Sequence, residues 1–258
     1  MMQLIEIQKS YPEGLHGRGE FLLREYLQYK ILELLFTSPF AEKFAFLGGT
    51  CLRIVHDNQR FSEDLDFDSF DLSQEDFEAV AGLIRDGLEQ EGYRVEMRNV
   101  FRGAYHCYIR FPGLLYDAGL SGHREARILL NLDTEPQHFA FMPELHFLNR
   151  FDVFASIRCT PLDLLLSQKI CAITGRKQPK GRDFFDTVFL LGRTRPNYDF
   201  LKQKLDLDTP ETLRKHLVSV CEKFDFQALA QDVQPFLFNP SDVNRVLLFK
   251  AYIASAPL

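Results

Sequence analysis

Residues 44–68 read Phe44-Ala45-Phe46-Leu47-Gly48-Gly49-Thr50-Cys51-Leu52-Arg53-Ile54-Val55-His56-Asp57-Asn58-Gln59-Arg60-Phe61-Ser62-Glu63-Asp64-Leu65-Asp66-Phe67-Asp68. The apolar start followed by two glycines predicts a strand, a tight turn and a short helix from Thr50 to about His56. A second strand is expected over Asp64–Ser69. Alternate side chains of a strand share a face, so Asp64, Asp66 and Asp68 point one way while Leu65 and Phe67 point into a core. Three carboxylates on one face repel each other unless the face is solvated or a cation sits there. Mg²⁺ prefers oxygen ligands and keeps waters and substrate phosphates, which suits an Asp-x-Asp pair on a strand. An exposed acidic edge strand is the plain alternative. The upstream Gly48-Gly49 pair tips the balance, because glycines before a helix N-terminus let backbone amides approach a phosphate. A phosphate cradle beside a carboxylate strand is the arrangement that metal-dependent phosphoryl or nucleotidyl transfer uses.

Outward from this stretch, apolar residues recur at helical spacing from Glu20 to Phe36, and Ser38-Pro39 ends that helix. Ser73 is a candidate N-cap with Asp76 three residues on, and the helix it opens runs to about Gln90. Tyr93–Phe101, Tyr105–Phe111, Arg127–Asp133 and Phe139–Phe147 read as strands. The glycine-bearing stretch Pro112–Arg124 reads as a mobile loop. After Thr160-Pro161 the pattern is helical again, with segments near 182–192, 198–206, 210–224, 226–237 and 241–254. The expected fold class is α+β: a mixed sheet core over residues 1–155 and a helical C-terminal region over 156–258.

Composition narrows the function. The chain has 258 residues, 46% of them hydrophobic, with 30 Lys+Arg against 36 Asp+Glu and a net charge of −6. An acidic balance disfavours a general nucleic-acid-coating protein but leaves room for a local basic site. No apolar run reaches the roughly 18 residues of a membrane helix. The N-terminus lacks the features of a signal peptide, so a cytoplasmic location is expected. Cys51, Cys107, Cys159, Cys171 and Cys221 are odd in number and widely spaced, which points to buried thiols and away from disulfides or zinc. Phe is abundant and Trp absent, so Phe should build the aromatic core.

The segments Gly48-Gly49-Thr50-Cys51-Leu52-Arg53 and Arg60-Phe61-Ser62-Glu63-Asp64-Leu65-Asp66-Phe67 together resemble the nucleotidyltransferase superfamily. The fuller pattern is similar to its AbiEii/AbiGii branch, toxins of abortive-infection and type IV toxin–antitoxin modules. A second signature of that branch resembles Lys169-Ile170-Cys171-Ala172-Ile173 followed by Arg176, Lys177 and Lys180-Gly181-Arg182-Asp183-Phe184-Phe185-Asp186. The resemblance implies a nucleotidyltransferase fold whose helical region completes the site. It implies transfer of a nucleoside monophosphate from an NTP to an acceptor hydroxyl, with RNA, in particular the 3′ end of a tRNA, as the favoured acceptor. A toxin role in phage defence and a cognate antitoxin are part of the same implication.

By the same resemblance, Asp64 and Asp66 hold Mg²⁺ and the triphosphate, with Gly48, Gly49 and Thr50 beside the phosphates and Ser62 either contacting a phosphate or bracing the strand entry. Asp133 is the candidate third carboxylate, aiding deprotonation of the acceptor, with Glu135 as the second choice and a turn residue as the plain alternative. Lys169 contacts the triphosphate, unless it snorkels to the surface. Asp183 is a functional candidate and Asp186 a weaker one; both could instead serve salt bridges with Lys169 and Arg182. Asp68 is expected to be a solvated neighbour or a group that supports the metal-binding aspartates. Arg176, Lys177, Lys180 and Arg182 are a solvated cluster or a contact for an RNA backbone. His56, His106 and His123 are read as structural or surface residues. Two other functions stay open: a nucleotidyltransferase for small molecules or protein hydroxyls, and a nucleotide-binding module without catalysis.

Overall fold

The computed structural model describes all 258 residues. The chain divides into two compact units, one of Met1–Cys51 with Phe61–Cys159 and one of Leu52–Arg60 with Thr160–Leu258. The helix Gly48–Ile54 begins in the first unit and its last residues belong to the second.

The first unit is built on one seven-stranded mixed sheet. Its strands are β1 (Phe44–Leu47), β2 (Leu65–Ser69), β3 (Glu96–Arg102), β4 (Ala104–Pro112), β5 (Arg127–Thr134), β6 (Glu144–Arg150) and β7 (Val153–Cys159), in the order β3-β4-β5-β2-β1-β7-β6. The central β5-β2 and β1-β7 pairs are parallel and the others antiparallel. The α+β class with a mixed sheet is therefore as expected. Strand alternation sorts the two faces: on β5, Ile128, Leu130 and Leu132 are buried, while Asn131 and Asp133 take the opposite face.

Helices Gly19–Phe36 and Gln74–Gln90 pack in this unit. The second buries Phe77, Val80, Ala81, Ile84 and Leu88, the apolar stripe of an amphipathic helix. Its start is fixed as the sequence suggests: Ser73 Oγ accepts from the Asp76 amide at 3.1 Å, and Asp76 Oδ2 accepts from the Ser73 amide at 3.1 Å. Phe67 of β2 sits among Phe36, Phe44 and Phe46, with ring centroids 5.4–6.2 Å apart.

Several boundaries differ from expectation. The strand expected over Phe139–Phe147 starts only at Glu144, because Pro143 just before it cannot donate to a ladder. β7 went unread, although Val153, Ala155, Ile157 and Cys159 alternate with exposed or half-buried neighbours. The loop expected to be mobile holds a short helix, Leu114–Asp117, whose Leu114 and Leu115 are buried. A helix at Leu4–Gln8 was also not anticipated.

The second unit is helical. Its main helices are Leu162–Gly175, Gly181–Leu191, Tyr198–Leu205, Pro210–Cys221, Phe226–Val233 and Phe249–Ser255. Phe184 packs edge-on against Phe224, Phe226 and Phe249 in its core. Gly181 is required by close packing, since a Cβ there would run into the carbonyl of Leu229. Residues 52–60 join this unit through an antiparallel bridge between Arg60 and Leu237 and a bond from the Phe238 amide to the Gln59 carbonyl at 3.1 Å.

All five cysteines are free, and all but Cys171 are buried. Burial pushes the Cys107 thiol up to about 12 and those of Cys171 and Cys221 up to about 11, so they are inert packing residues. No helix is long and apolar enough to cross a membrane.

Candidate active site

Register places the acidic residues of the first unit in rows. Asp66 of β2 lies directly opposite Asp133 of β5, and Asp133 directly opposite His106 of β4. Side chains at paired positions share a face, so the three stand side by side on the face turned away from the helical core. His106 Nδ1 lies 2.8 Å from Asp133 Oδ1. An ionised carboxylate can only accept, so Nδ1–H donates and fixes the carboxylate's orientation. Asp64 stands at the entry to β2, and its Oδ1 accepts from Asn131 Nδ2 at 2.9 Å. Asp64, Asp66 and Asp133 are thus brought together as the sequence analysis anticipates, and Glu135 is exposed beyond the end of β5.

The turn before them is shaped by glycine. Gly48 has φ +78°, and a Cβ there would collide with the Asp66 carboxylate. The missing side chain lets the start of the helix lie against Asp66. Thr50 departs from its expected role. It is fully buried and its hydroxyl donates to the Asp64 carbonyl, so the side chain ties the turn to the entry of β2. Ser62 is also buried, and its carbonyl accepts from Gln28 Nε2 at 3.1 Å. Asp68 is not solvated: it is 2% exposed, and its Oδ1 accepts from the amides of Ser69 (2.8 Å) and Gln137 (2.9 Å).

The residues of the second signature converge within the second unit. Lys169 Nζ lies 2.8 Å from Asp186 Oδ2 and 3.2 Å from Asp183 Oδ1. Asp186 is 0% exposed and takes a two-pronged bond from Arg60, Nε to Oδ1 at 2.7 Å and Nη2 to Oδ2 at 2.6 Å. Asn58 Nδ2 adds a third donor at 2.8 Å. Asp183 accepts from Arg176 Nη1 at 2.8 Å and from the Lys180 amide at 3.3 Å. Burial opposes the charge on Asp186, but Arg60 and Lys169 outweigh it and hold the carboxyl down at about 2. Burial likewise opposes the Lys169 charge, and Asp186 and then Asp183 raise its pKa in spite of it.

The guanidinium of Arg182 lies over the Phe236 ring at 5.2 Å, and Arg60 and Arg176 pair with Asp186 and Asp183. This gives the first signature's Arg60 a clear part: it belongs to the second unit and locks onto the second signature's Asp186. His106, Asn131 and Arg60 are the polar partners that sequence reasoning missed.

The donor set on the sheet face is hard oxygen, which fits a divalent cation. No three acidic, histidine or cysteine side chains converge tightly enough to hold an ion by themselves. Mg²⁺ sites commonly use one or two carboxylates and let substrate phosphates complete the shell, and Asp64 and Asp66 with Asp133 alongside meet that requirement.

Comparison with solved structures gives the same fold. MenT4, the nucleotidyltransferase toxin Rv2826c from Mycobacterium tuberculosis H37Rv, superposes with a TM-score of 0.60 at 15% identity, covering 100% of this chain and 91% of that one. JHP933 from Helicobacter pylori superposes with a TM-score of 0.55 at 17% identity, covering 91% and 92%. No curated protein matches the sequence. The family described as "Nucleotidyl transferase AbiEii toxin, Type IV TA system" matches residues 30–242, which hold both signatures and the three sheet-face aspartates. With a match of that extent, the chain belongs to the AbiEii family of nucleotidyltransferase toxins.

Proposed function

We propose that this nucleotidyltransferase transfers a nucleoside monophosphate from an NTP to a hydroxyl of RNA, the 3′ end of a tRNA, in a Mg²⁺-dependent reaction. The observation that carries this reading is the row His106–Asp133–Asp66, with Asp64 beside it, on one face of the adjacent strands β4, β5 and β2. Asp64, Asp66 and Asp133 would hold the cation, whose charge would polarise the triphosphate and stabilise the leaving pyrophosphate. The acceptor oxygen attacks the α-phosphorus, the bond to the pyrophosphate oxygen breaks, and the hydroxyl proton passes to Asp133. His106 holds the Asp133 oxygen in place for that transfer. The backbone at Gly48 and Gly49 approaches the phosphates, and Lys169 offers its charge to a substrate phosphate.

RNA as acceptor is supported by a groove of about 700 Å³ in the second unit, bordered by Arg176, Lys177, Lys180 and Lys223 against two carboxylates, Asp225 and Asp232. Such a local concentration of cations on an acidic chain suits a phosphate backbone. As in other type IV systems, a cognate antitoxin would oppose the activity. Incubation with each labelled NTP, total RNA and Mg²⁺ tests the proposal: label should appear at RNA 3′ ends with the parent protein and not with Asp66→Ala. Label on protein or small molecules alone would replace the RNA part of the reading, and no transfer under any condition would end it.

A further inference from the structure

A pocket of about 440 Å³ opens beyond the C-terminal ends of β2 and β5. That volume lies within the range of small-ligand sites. Phe70, Tyr105 and Phe139 form its flat walls, and Asp68, Asp71 and Thr134 its polar ones. The aromatic walls are backed by other rings: Phe70 by Phe141 at 5.6 Å, Tyr105 by Phe77 at 5.5 Å and Phe101 at 5.3 Å. The Gln137 amide, which donates to Asp68 Oδ1 beside the Ser69 amide, fastens the loop that carries Phe139 to β2. The pocket is thus preorganised.

Thr134 supplies an independent sign of a ligand. It is 2% exposed, borders the pocket, and its hydroxyl has no hydrogen-bond partner. Native structures leave few buried hydroxyls unsatisfied, and each one calls for an explanation.

The chemistry of the walls selects the ligand. Rings stack on flat aromatic groups. The carboxylates of Asp68 and Asp71 accept hydrogen bonds and repel phosphate. A flat ring with an N–H donor edge fits, and a phosphate does not. Location agrees through Asp68, which shares the Asp66 face two residues and roughly 7 Å along the strand, while Thr134 reaches the pocket from the other face at the end of β5.

We propose that this pocket takes a nucleobase carrying an exocyclic amino group, so that cytosine, adenine or guanine is favoured over uracil. The base belongs either to the incoming NTP or to the terminal nucleotide of the acceptor. The proposal rests on the nucleotidyl-transfer reading above.

The test uses the full chain, with Thr134→Val, which keeps the shape and removes the hydroxyl, and Phe139→Ala, which removes a stacking wall. Affinities are measured for CTP, UTP and inorganic triphosphate, and KM for RNAs ending in C or U at a fixed NTP; thermal melts confirm folding. The parent should favour the amino-bearing base roughly tenfold in one of the two measurements. Both variants should bring that preference toward unity and leave inorganic triphosphate binding unchanged. A change in NTP affinity assigns the pocket to the nucleotide substrate, and a change in RNA KM assigns it to the acceptor. No preference in the parent, an unaltered preference in both variants, or equal losses for CTP, UTP and inorganic triphosphate would overturn the proposal. Asp66→Ala separates it from the underlying reading: turnover surviving that substitution sinks the sheet-face aspartates as the site of transfer. An inactive Asp66→Ala beside pocket variants that behave like the parent sinks only the base pocket.

Discussion

Asp64 and Asp66 of the first unit belong to a half-buried acidic row on the sheet, whose partners include the Asn131 amide and the His106 imidazole. Asp183 and Asp186 of the second unit lie buried in a helix, matched by the cations of Arg60, Lys169 and Arg176. Both are aspartate pairs at short spacing, and the difference lies in where their counter-charge comes from. A strand face that gathers several carboxylates is suited to a cation that arrives with the substrate. Two carboxylates bracketed by three cations are already neutralised. They serve to hold a lysine charged and an arginine fixed.

The contrast predicts opposite outcomes for removing one aspartate from each region. Asp66→Ala should reduce turnover on the order of 10³-fold or more, since a metal clamp supplies several kcal/mol to the transition state. Its melting temperature should stay level or rise, because like-charge repulsion on the strand is relieved. Steady-state kinetics beside a thermal melt measures both. Near-parental turnover would erase the distinction between the two pairs.

Asp186→Ala should instead cost stability, about 3–5 kcal/mol, because the buried Arg60 would lose the carboxylate that neutralises it and Lys169 would keep only Asp183. Arg60→Met combined with Asp186→Leu should recover part of that loss in denaturant titrations, since an apolar pair removes the stranded charge. The pH dependence has a definite sign. The Asp186 carboxyl falls from 3.8 to about 2 on folding, so its contribution is present above pH 4 and is lost as pH falls toward 2. The stability gap between parent and Asp186→Asn should therefore narrow through that window. A gap constant down to pH 2 would show that the cluster is not held by this charge.

A smaller effect is expected at His106. Groups that orient a carboxylate at a metal site typically contribute 10–100-fold, so His106→Ala should reduce turnover by about that much with the fold intact. The loss should be in kcat more than in NTP affinity. Parental activity in His106→Ala would reduce the Asp133–His106 contact to a packing detail.

What could be read beforehand follows the same division. Period-two alternation and the glycine turn exposed the Asp64-Leu65-Asp66 strand, and Asp133 stood out as the acid ending an alternating run. Helix starts at Ser73 and Pro161 were legible because caps are local. His106 was not, because its meaning comes from the β4–β5 register, which pairs residues 27 apart. The Arg60–Asp186 pair spans 126 residues, and nothing local to either marks the other. The burial of Asp68 is not legible, because alternation sets a face but not what closes over it, here the Gln137 amide. β7 was overlooked although its alternation is present in Val153-Phe154-Ala155-Ser156-Ile157.

The smallest expected effect concerns the groove of the second unit, where the cations outside the aspartate cluster are exposed. Arg176 is committed to Asp183, so its removal would disturb the cluster as well as the groove. Lys177, Lys180 and Lys223 are exposed and border the groove, which makes them the proper set to neutralise. If each contacts one phosphate, changing all three to Gln should lower the slope of log affinity against log salt by roughly two to three units for RNA. NTP affinity and melting temperature should stay within experimental scatter, because surface substitutions of this kind rarely move stability by more than about 0.5 kcal/mol. Titrating RNA into parent and variant at several salt concentrations gives the slope directly. An unchanged slope would mean that the acceptor's backbone is not held here and would leave the groove's cations as a solvated surface. A fall in slope accompanied by an equal loss of NTP affinity would mean that these lysines act on the nucleotide, and the division between buried and exposed cations in this unit would have to be redrawn.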